Sequence, residues 1–394
     1  MSPKRMDTVK ADLNEFQSVK DLKTILGAEG PCLSAYIPLA AAPPNQSAQA
    51  NALEWRETLR TLKSKAQQHG ALGRELLESV QDWDAILGDR EPQGRSVAVL
   101  RSPDVFRVAW IDETVKSRAT LGPHFYIRPL LPDLIRDKTF YILALSQNDV
   151  RLLRCTQRTS DEVPFPPGFA TSFDGYMNTA KPDHVSDGRA APGPGVGSSK
   201  GVMFTTSSDR EDKGEYLAHF FRQVDRCAEE MLRGKTDPVV LVGVEYEIAL
   251  YRSLNSTLPL AREAVHGAPN GLKSREMHAR AIAALLRCYE KKIDEALAQY
   301  NHKVGGVASN RLKDVVTAAH DGRVLTLLVS DSLETTGVFD ESTHSVKGRE
   351  TGGASDEDLV NDAAVQTILH AGQIFVVPNG NMPNGAPLAA IFRF

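Results

Sequence analysis

The residues best equipped for chemistry lie between about Thr159 and Lys213, in a stretch with no hydrophobic period. Within it, Gly193-Pro-Gly-Val-Gly-Ser-Ser-Lys-Gly invites comparison with a phosphate loop. Such loops need glycines so that backbone N–H groups converge on phosphate, then a Lys followed by Ser or Thr where a helix opens. Here Gly201 follows Lys200, and the next helical pattern begins only at Tyr216, so a nucleotide-binding loop does not fit. Two readings stay open. One is a flexible polar loop. The other is a loop that grips RNA phosphate through the backbone of Gly193, Gly195 and Gly197 and the cations Arg189 and Lys200. His184 stands beside Asp183 and Asp187. It is grouped with the RNA-contacting candidates, although a solvated histidine or a general base fits the same neighbours and no metal-ligand spacing supports a metal site.

A second candidate contact is Asn310-Arg311-Leu312-Lys313, which opens a helical pattern. Amides exposed at a helix start, flanked by Arg311 and Lys313, suit phosphate. An ordinary solvated first turn, capped by Ser309 or Asn310, is the plainer alternative. Asp356, Glu357 and Asp358 read as carboxylates of a helix start, favoured by the helix dipole, rather than as a metal cluster. His266 reads as a turn-packing residue. Gly-x-Ser-x-Gly is absent, and no catalytic set assembles. The expectation is therefore a protein that is not an enzyme and carries no cofactor. The four cysteines, Cys32, Cys155, Cys227 and Cys288, make no CxxC pair and read as buried free thiols.

The elements that must position these residues show in the hydrophobic period. Ser18–Leu26, Ala48–Gln68 and Leu72–Leu87 read as helices, and Cys32-Leu-Ser-Ala-Tyr-Ile-Pro reads as a strand. Ser96–Leu100 and Val105–Ile111 flank a turn and read as a hairpin. Tyr126-Ile-Arg-Pro-Leu-Leu-Pro reads as an interdomain connector. A second hairpin spans Phe140–Cys155. Beyond the aperiodic stretch come a helix at Tyr216–Leu232, a buried strand at Val239–Val244, a helix from about Glu247 to Leu254, a short strand near Ala264 and a long helix from Ser274 to about Tyr300. A helical face at Leu312–Ala319 leads into the strand Val324–Val329. Thr335–Ser355 reads as a polar surface loop. A helix over Asp356–His370 and strands at Ile374–Val377 and Leu388–Phe394 complete the chain. The alternation in the last two regions suggests three-layer α/β domains.

With 394 residues the chain has room for two to four domains. Its 41% hydrophobic and 24% charged residues are ordinary for a soluble protein, and a net charge of -4 argues against general polyanion binding while leaving local basic patches open. No apolar run is long enough to span a membrane, no secretory signal is evident, and a cytoplasmic setting is expected.

The order of elements carries a resemblance. The hairpin Phe140–Cys155, the interrupting loop, the following helix and Pro238-Val-Val-Leu-Val-Gly-Val-Glu-Tyr-Glu resemble the middle domain of archaeo-eukaryotic peptide-chain release factors and their relative Pelota. Arg311–Val329 and the ending Ala371-Gly-Gln-Ile-Phe-Val-Val-Pro…Pro-Leu-Ala-Ala-Ile-Phe-Arg-Phe are similar to their L7Ae-like C-terminal domain. Cys32-Leu-Ser-Ala-Tyr-Ile-Pro with Leu53-Glu-Trp-Arg-Glu-Thr-Leu resembles the N-terminal domain of the bacterial branch, which includes ribosome hibernation factors such as Balon. The resemblance implies an N-terminal α/β domain over 1–135, a release-factor-like middle α/β domain over 136–303 with a tip loop at 159–213, and an L7Ae-like α/β/α domain over 304–394. It also implies binding at the ribosomal A site, with the tip loop toward the peptidyl-transferase centre and its ribosomal RNA, and delivery by a translational GTPase. Release factors of this family carry Gly-Gly-Gln at the tip and Asn-Ile-Lys-Ser for stop codons; this sequence has neither. The expected role is binding to idle or stalled ribosomes, in hibernation or rescue, without peptide release. The alternatives are a non-ribosomal stress-response interaction protein and a peptidyl-tRNA or RNA hydrolase working through His184.

Overall fold

The computed structural model describes residues 19–28, 30–40, 44–87, 95–136, 139–179, 207–254, 256–340, 342–348 and 357–394. Two compact units divide the chain: Thr139–Glu290 forms one, and the residues up to Lys138 together with Lys291–Phe394 form the other.

The second of these units opens with α1 (Val19–Leu26), β1 (Cys32–Pro38), α2 (Pro44–Arg60), α3 (Lys63–Gln68), α4 (Gly70–Glu78) and α5 (Trp83–Leu87). There follow β2 (Ser96–Arg101), β3 (Phe106–Ile111), β4 (Arg118–Gly122) and α6 (Leu131–Ile135). The strands form an antiparallel sheet in the order β3-β2-β1-β4. Because side chains alternate across a strand, Leu33, Ala35 and Ile37 face one way and Cys32 and Tyr36 the other. Both sets are buried. The first set packs with Val97, Val99 and Trp110 against Trp55, Leu76 and Trp83 of the helices and Leu62 of the turn after α2. Trp55 is fully buried, and its indole N–H donates to the Val80 carbonyl at 2.8 Å. The run expected as one helix over Leu72–Leu87 is broken between Glu78 and Trp83, and α5 is a separate short helix.

The other face of that sheet has a different partner. Cys32, Tyr36, Leu100 and Ile111 share a continuous core with Leu327, Val329, Val360, Ala364 and Leu388 from the far end of the chain. The segment expected as a connector is central to this core. Phe125, Tyr126, Ile127, Leu130 and Leu131 are buried, and a 3-10 turn at Arg128–Leu130 runs into α6. Prolines at both ends suggested a linker; the apolar side chains between them instead make it a packing element.

The Thr139–Glu290 unit contains β5 (Thr139–Ala144), β6 (Arg151–Thr156), β7 (Ser160–Val163), α7 (Phe173–Thr179), α8 (Ser207–Met231), β8 (Val239–Gly243), α9 (Glu245–Arg252), β9 (Val265–His266) and the first part of α10 (Ser274–Lys303). Its sheet runs β7-β6-β5-β8-β9, with the hairpin antiparallel and β5-β8-β9 parallel. Tyr141, Leu143, Val239 and Leu241 face Phe220, Phe221, Val224 and Tyr251 of α8 and α9. Phe140, Ile142, Val240 and Val242 face Met277, Ala281 and Ala284 of α10. Two helical layers thus enclose a sheet whose inner strands, β5 and β8, are apolar on both faces. The stretch read as aperiodic from Thr159 is partly regular. Ser160–Val163 pairs with β6, α7 follows, and α8 begins at Ser207, nine residues before the apolar stripe that marks it in the sequence.

The chain then returns with β10 (Ala308–Ser309), α11 (Leu312–His320), β11 (Val324–Ser330), β12 (Thr336–Asp340), β13 (Ser345–Gly348), β14 (Glu357–Asp358), α12 (Leu359–Leu369), β15 (Gln373–Val377) and β16 (Leu388–Phe392). Its larger sheet is ordered β10-β16-β11-β15, with β11 and β15 parallel. The segment expected to be a loop over Thr335–Ser355 holds a hairpin, β12 and β13, and β14 joins it in a small sheet. Asp340 caps the turn by accepting from the Ser342 and Thr343 backbone N–H groups and the Ser342 hydroxyl. These bonds hold its carboxyl down at about 2. Phe339 stacks on His320, 3.8 Å between ring centroids, and His320 Nε2 meets Asp362 Oδ2 at 2.8 Å, joining hairpin, α11 and α12.

Asp358 also differs from expectation. Glu357 and Asp358 precede the helix as β14, and Asp358 is the N-cap of α12, accepting from the Val360 N–H at 3.1 Å; Asp356 lies outside the described residues. The same carboxylate takes Arg128 Nη1 at 2.7 Å, with both side chains almost fully buried. Arg128 Nη2 donates to the Ser330 carbonyl at 2.8 Å. Asn361 completes the joint: its Oδ1 accepts from the Ile127 N–H at 2.8 Å and its Nδ2 donates to the Phe125 carbonyl at 3.0 Å. A backbone segment beside β4 is therefore keyed, polar group by polar group, to the first turn of α12.

Candidate nucleic-acid interface

The chemically suggestive loop is framed by two helices. Of its candidate contacts, His184, Arg189, Gly193, Gly195, Gly197 and Lys200 lie outside the described residues, which stop at Thr179 and resume at Ser207. The described flanks show how the loop is held. Phe173, at the start of α7, donates its backbone N–H to the Gln147 carbonyl at 2.7 Å. Its ring lies 6.1 Å from that of Phe220, and Tyr176 lies 5.7 Å from the same ring. Phe220 contacts Phe221, which in turn meets Tyr251. The Tyr251 hydroxyl donates to Asp225 at 2.6 Å, and burial followed by that hydrogen bond raises its pKa far above the ordinary phenol value. Each aromatic pair adds about 0.5–1.5 kcal/mol beyond area burial. Both flanks of the loop thus rest on a rigid aromatic base.

The second candidate is fully visible. Arg311 takes the N-cap position of α11 with extended backbone, φ −76° and ψ 123°, and no side chain caps the helix from there. Instead Ser309 Oγ accepts the Arg311 N–H at 3.1 Å and donates to Asp314 Oδ2 at 3.1 Å. Asn310 is half-buried and its Nδ2 donates to the Pro383 carbonyl at 3.2 Å, so its amide positions the turn. The cap role expected of Ser309 or Asn310 is thus divided: Ser309 braces the turn, and Asn310 ties it to the Pro383 segment. Arg311 and Lys313 are exposed. Uncapped N–H groups at a helix start, with two free-standing cations beside them, form a small electropositive corner that matches a phosphate. Asp314 in the same turn reduces that charge.

Other reactive residues are engaged structurally. Cys155 is buried, and burial, helped by Asp161, pushes its thiol up to about 12, far from nucleophilic range. Cys32 is buried as expected, whereas Cys227 and Cys288 are only half-buried. His278 stacks on Phe140 and its Nε2 meets the Thr156 carbonyl at 2.7 Å. His266 ends β9 with its side chain exposed, so it does not pack the turn as expected. Ala371-Gly-Gln sits where α12 gives way to β15. Ala371 has φ 57°, and a Cβ on Gly372 would meet Thr367 Cγ2 at 2.6 Å and the Val324 carbonyl at 2.8 Å. This tripeptide is a packed turn, with no room for a substrate at its glycine. Among the described residues no group of three or more His, Cys, Asp and Glu is placed to hold a metal ion.

Sequence reasoning missed a cleft of about 470 Å³ lined by Arg118, Tyr126, Arg128, Ser330 and Glu334. The Arg118 guanidinium lies 4.1 Å from the Tyr126 ring centroid and pairs with Glu334. Tyr126 donates to Glu334 Oε1 at 3.2 Å. Burial alone would raise the Glu334 carboxyl, but Arg118 and the Tyr126 hydroxyl outweigh it and hold it below the ordinary range. Arg118 and Arg128 of this cleft are each paired with a carboxylate, so their charges join segments rather than collect anions.

The family model of bacterial archaeo-eukaryotic release factor family 3 matches residues 139–323. No curated protein matches. Among solved structures the chain is similar to the archaeal translation termination factor aRF1, at 14% identity over 96% of this chain and 98% of that one, with a TM-score of 0.22. It is similar to archaeal Pelota, from a structure of the ribosome-bound protein with ABCE1, at 13% identity over 97% and 95% of the two chains, TM-score 0.36. It is also similar to Dom34 of S. cerevisiae, described as a translation termination-like factor involved in RNA quality control and interacting with Hbs1, at 10% identity over 96% and 94%, TM-score 0.35. Likenesses of this depth carry no residue-level correspondence. The family match spans β5 to α9 and runs on through α10 and α11, so over residues 139–323 the chain is similar to bacterial archaeo-eukaryotic release factor family 3.

Proposed function

We propose that this protein is a cytoplasmic, ribosome-associated factor that occupies the A site of idle or stalled ribosomes, in hibernation or rescue, and does not release peptide. The observation that carries this reading is the match of residues 139–323 to a release-factor family in a chain whose sequence has no Gly-Gly-Gln. The packing of Gly372 supports it, because the tripeptide nearest to that motif is committed to a turn. In this reading the chain works as three modules, 1–135, 136–303 and 304–394, of which the first and third share one core. The segment between α7 and α8 presents His184, Arg189, Lys200 and the backbone of Gly193, Gly195 and Gly197 to ribosomal RNA. Arg311 and Lys313 make a second phosphate contact, with Asn310 holding their turn in place. A translational GTPase is the delivery partner. No helix among the described residues is long and apolar enough to cross a membrane.

Co-sedimentation with ribosomes over a salt series tests the proposal. Binding through phosphate contacts falls with rising salt. The double substitution Arg311→Glu, Lys313→Glu should weaken binding and lower the salt slope by about one for each phosphate no longer held. Absence from the ribosome fraction of both growing and starved cells would overturn the reading, as would hydrolysis of peptidyl-tRNA by the purified protein.

A further inference from the structure

We infer that a groove on the helices of the N-terminal sheet docks an acidic, leucine-bearing helical segment of a partner protein. Leu53, Arg56 and Arg60 follow one another at spacings of three and four residues along one face of α2, and Lys63 opens α3 just after the turn. Beside this face lies a groove of about 330 Å³. Its floor is the edge of the core, Leu59 and Leu77, both nearly buried. Leu53 stands at its lip with 59% of its surface exposed, among the most exposed large apolar residues of the described chain.

The charge of the groove is one-sided. Arg56, Arg60 and Lys63 line it, and the single carboxylate is Glu57, which accepts from Arg60 at 2.9 Å. Arg60 and Glu57 are about half exposed or more, and a pair of that kind contributes little. Two positive charges remain in excess around an apolar floor. A partner that satisfies both features brings carboxylates to the rim and one apolar side chain to the floor. An amphipathic acidic helix does so, with anchors at i, i+3 and i+4. Nucleic acid would satisfy the rim, but its phosphates gain nothing from an exposed leucine. This inference is independent of the ribosomal reading, since it concerns a different surface and a different class of ligand.

The probe is a fluorescein-labelled peptide of about 15 residues, long enough to hold a helix on a surface, built from glutamate with leucines at helical spacing. Its control replaces every glutamate with lysine. Fluorescence anisotropy with the full chain should show the acidic peptide binding at least about tenfold more tightly than the lysine peptide, a difference of about 1.4 kcal/mol. Leu53→Asp should weaken it by a similar factor, and Arg56→Glu with Lys63→Glu should do the same through the rim. Leu53 and Arg56 are exposed, and an unchanged thermal midpoint confirms that each variant is folded. Equal binding of the two peptides, or full affinity in both variants, would overturn the proposal. Displacement of the acidic peptide by a single-stranded oligouridylate at equal concentration would also overturn it and reassign the groove to nucleic acid. Ribosome co-sedimentation of Leu53→Asp should be unchanged, which separates failure of this site from failure of the ribosomal role.

Discussion

At the scale of single residues, the most consequential group is Arg128. Its guanidinium is buried against Asp358 and the Ser330 carbonyl, so removing it strands a carboxylate where water cannot solvate it. Arg128→Ala should cost about 3–5 kcal/mol, read as a lower urea midpoint. The paired variant Arg128→Met, Asp358→Leu should recover much of that loss, because no buried charge is then left alone. Glu334 supplies a weaker, pH-dependent term. Its carboxyl is depressed in the folded protein, so its contribution is full above the ordinary glutamate value of about 4.3 and disappears as pH falls through the lower folded value. The difference in thermal midpoint between wild type and Glu334→Gln should therefore be present at neutral pH and vanish in acid. With the side chain 42% exposed, that difference should stay below about 1 kcal/mol. None of these partners was legible in the sequence. Arg128 and Asp358 are 230 positions apart, and a charge at a helix start looks the same whether it meets water or a buried arginine.

At the scale of elements, periodicity was a good guide wherever a segment faces one layer. The β5–β6 hairpin, α10, α11 and β11 lie where their apolar spacing places them. It misled where pairing rather than composition makes the strand. Ser160–Val163 and the β12–β13 hairpin are mostly small and polar, yet ladder hydrogen bonds to a neighbour and the stacking of Phe339 on His320 hold them. The start of α8 was hidden for a related reason, since its first turns carry charges in place of an apolar stripe. The candidate site was legible as residue types alone: Arg311 and Lys313 are exposed at a helix start as read, but the internal duty of Asn310 depends on Pro383, 73 positions away. The turn between α12 and β15 offers a direct test of structural against chemical roles. Gly372→Ala should destabilise by about 1–3 kcal/mol, because the new methyl meets Thr367 and the backbone of Val324. Gln373→Ala, at an exposed position, should shift stability by less than about 0.5 kcal/mol. Thermal midpoints of the two variants check this order.

At the scale of the whole molecule, the division of the chain into units is not sequential. Residues up to Lys138 complete their core with residues after Lys291. Truncation after Glu290 should therefore leave the face of Tyr36, Leu100 and Ile111 uncovered, with strong binding of a hydrophobic dye and a lost cooperative transition for that part. The Thr139–Glu290 unit, enclosed by its own helices on both sides of its sheet, should keep its transition in the same truncated chain. The keyed joint has a further consequence during synthesis. The Phe125 carbonyl waits for the side chain of Asn361, 236 residues downstream, and at about 5–20 residues per second that delay is roughly 12–47 s. Throughout that interval the nascent chain trails an unfinished apolar surface from the exit tunnel. In a protein whose proposed workplace is the ribosome, the first segment thus stays uncovered during its own synthesis until the last one arrives.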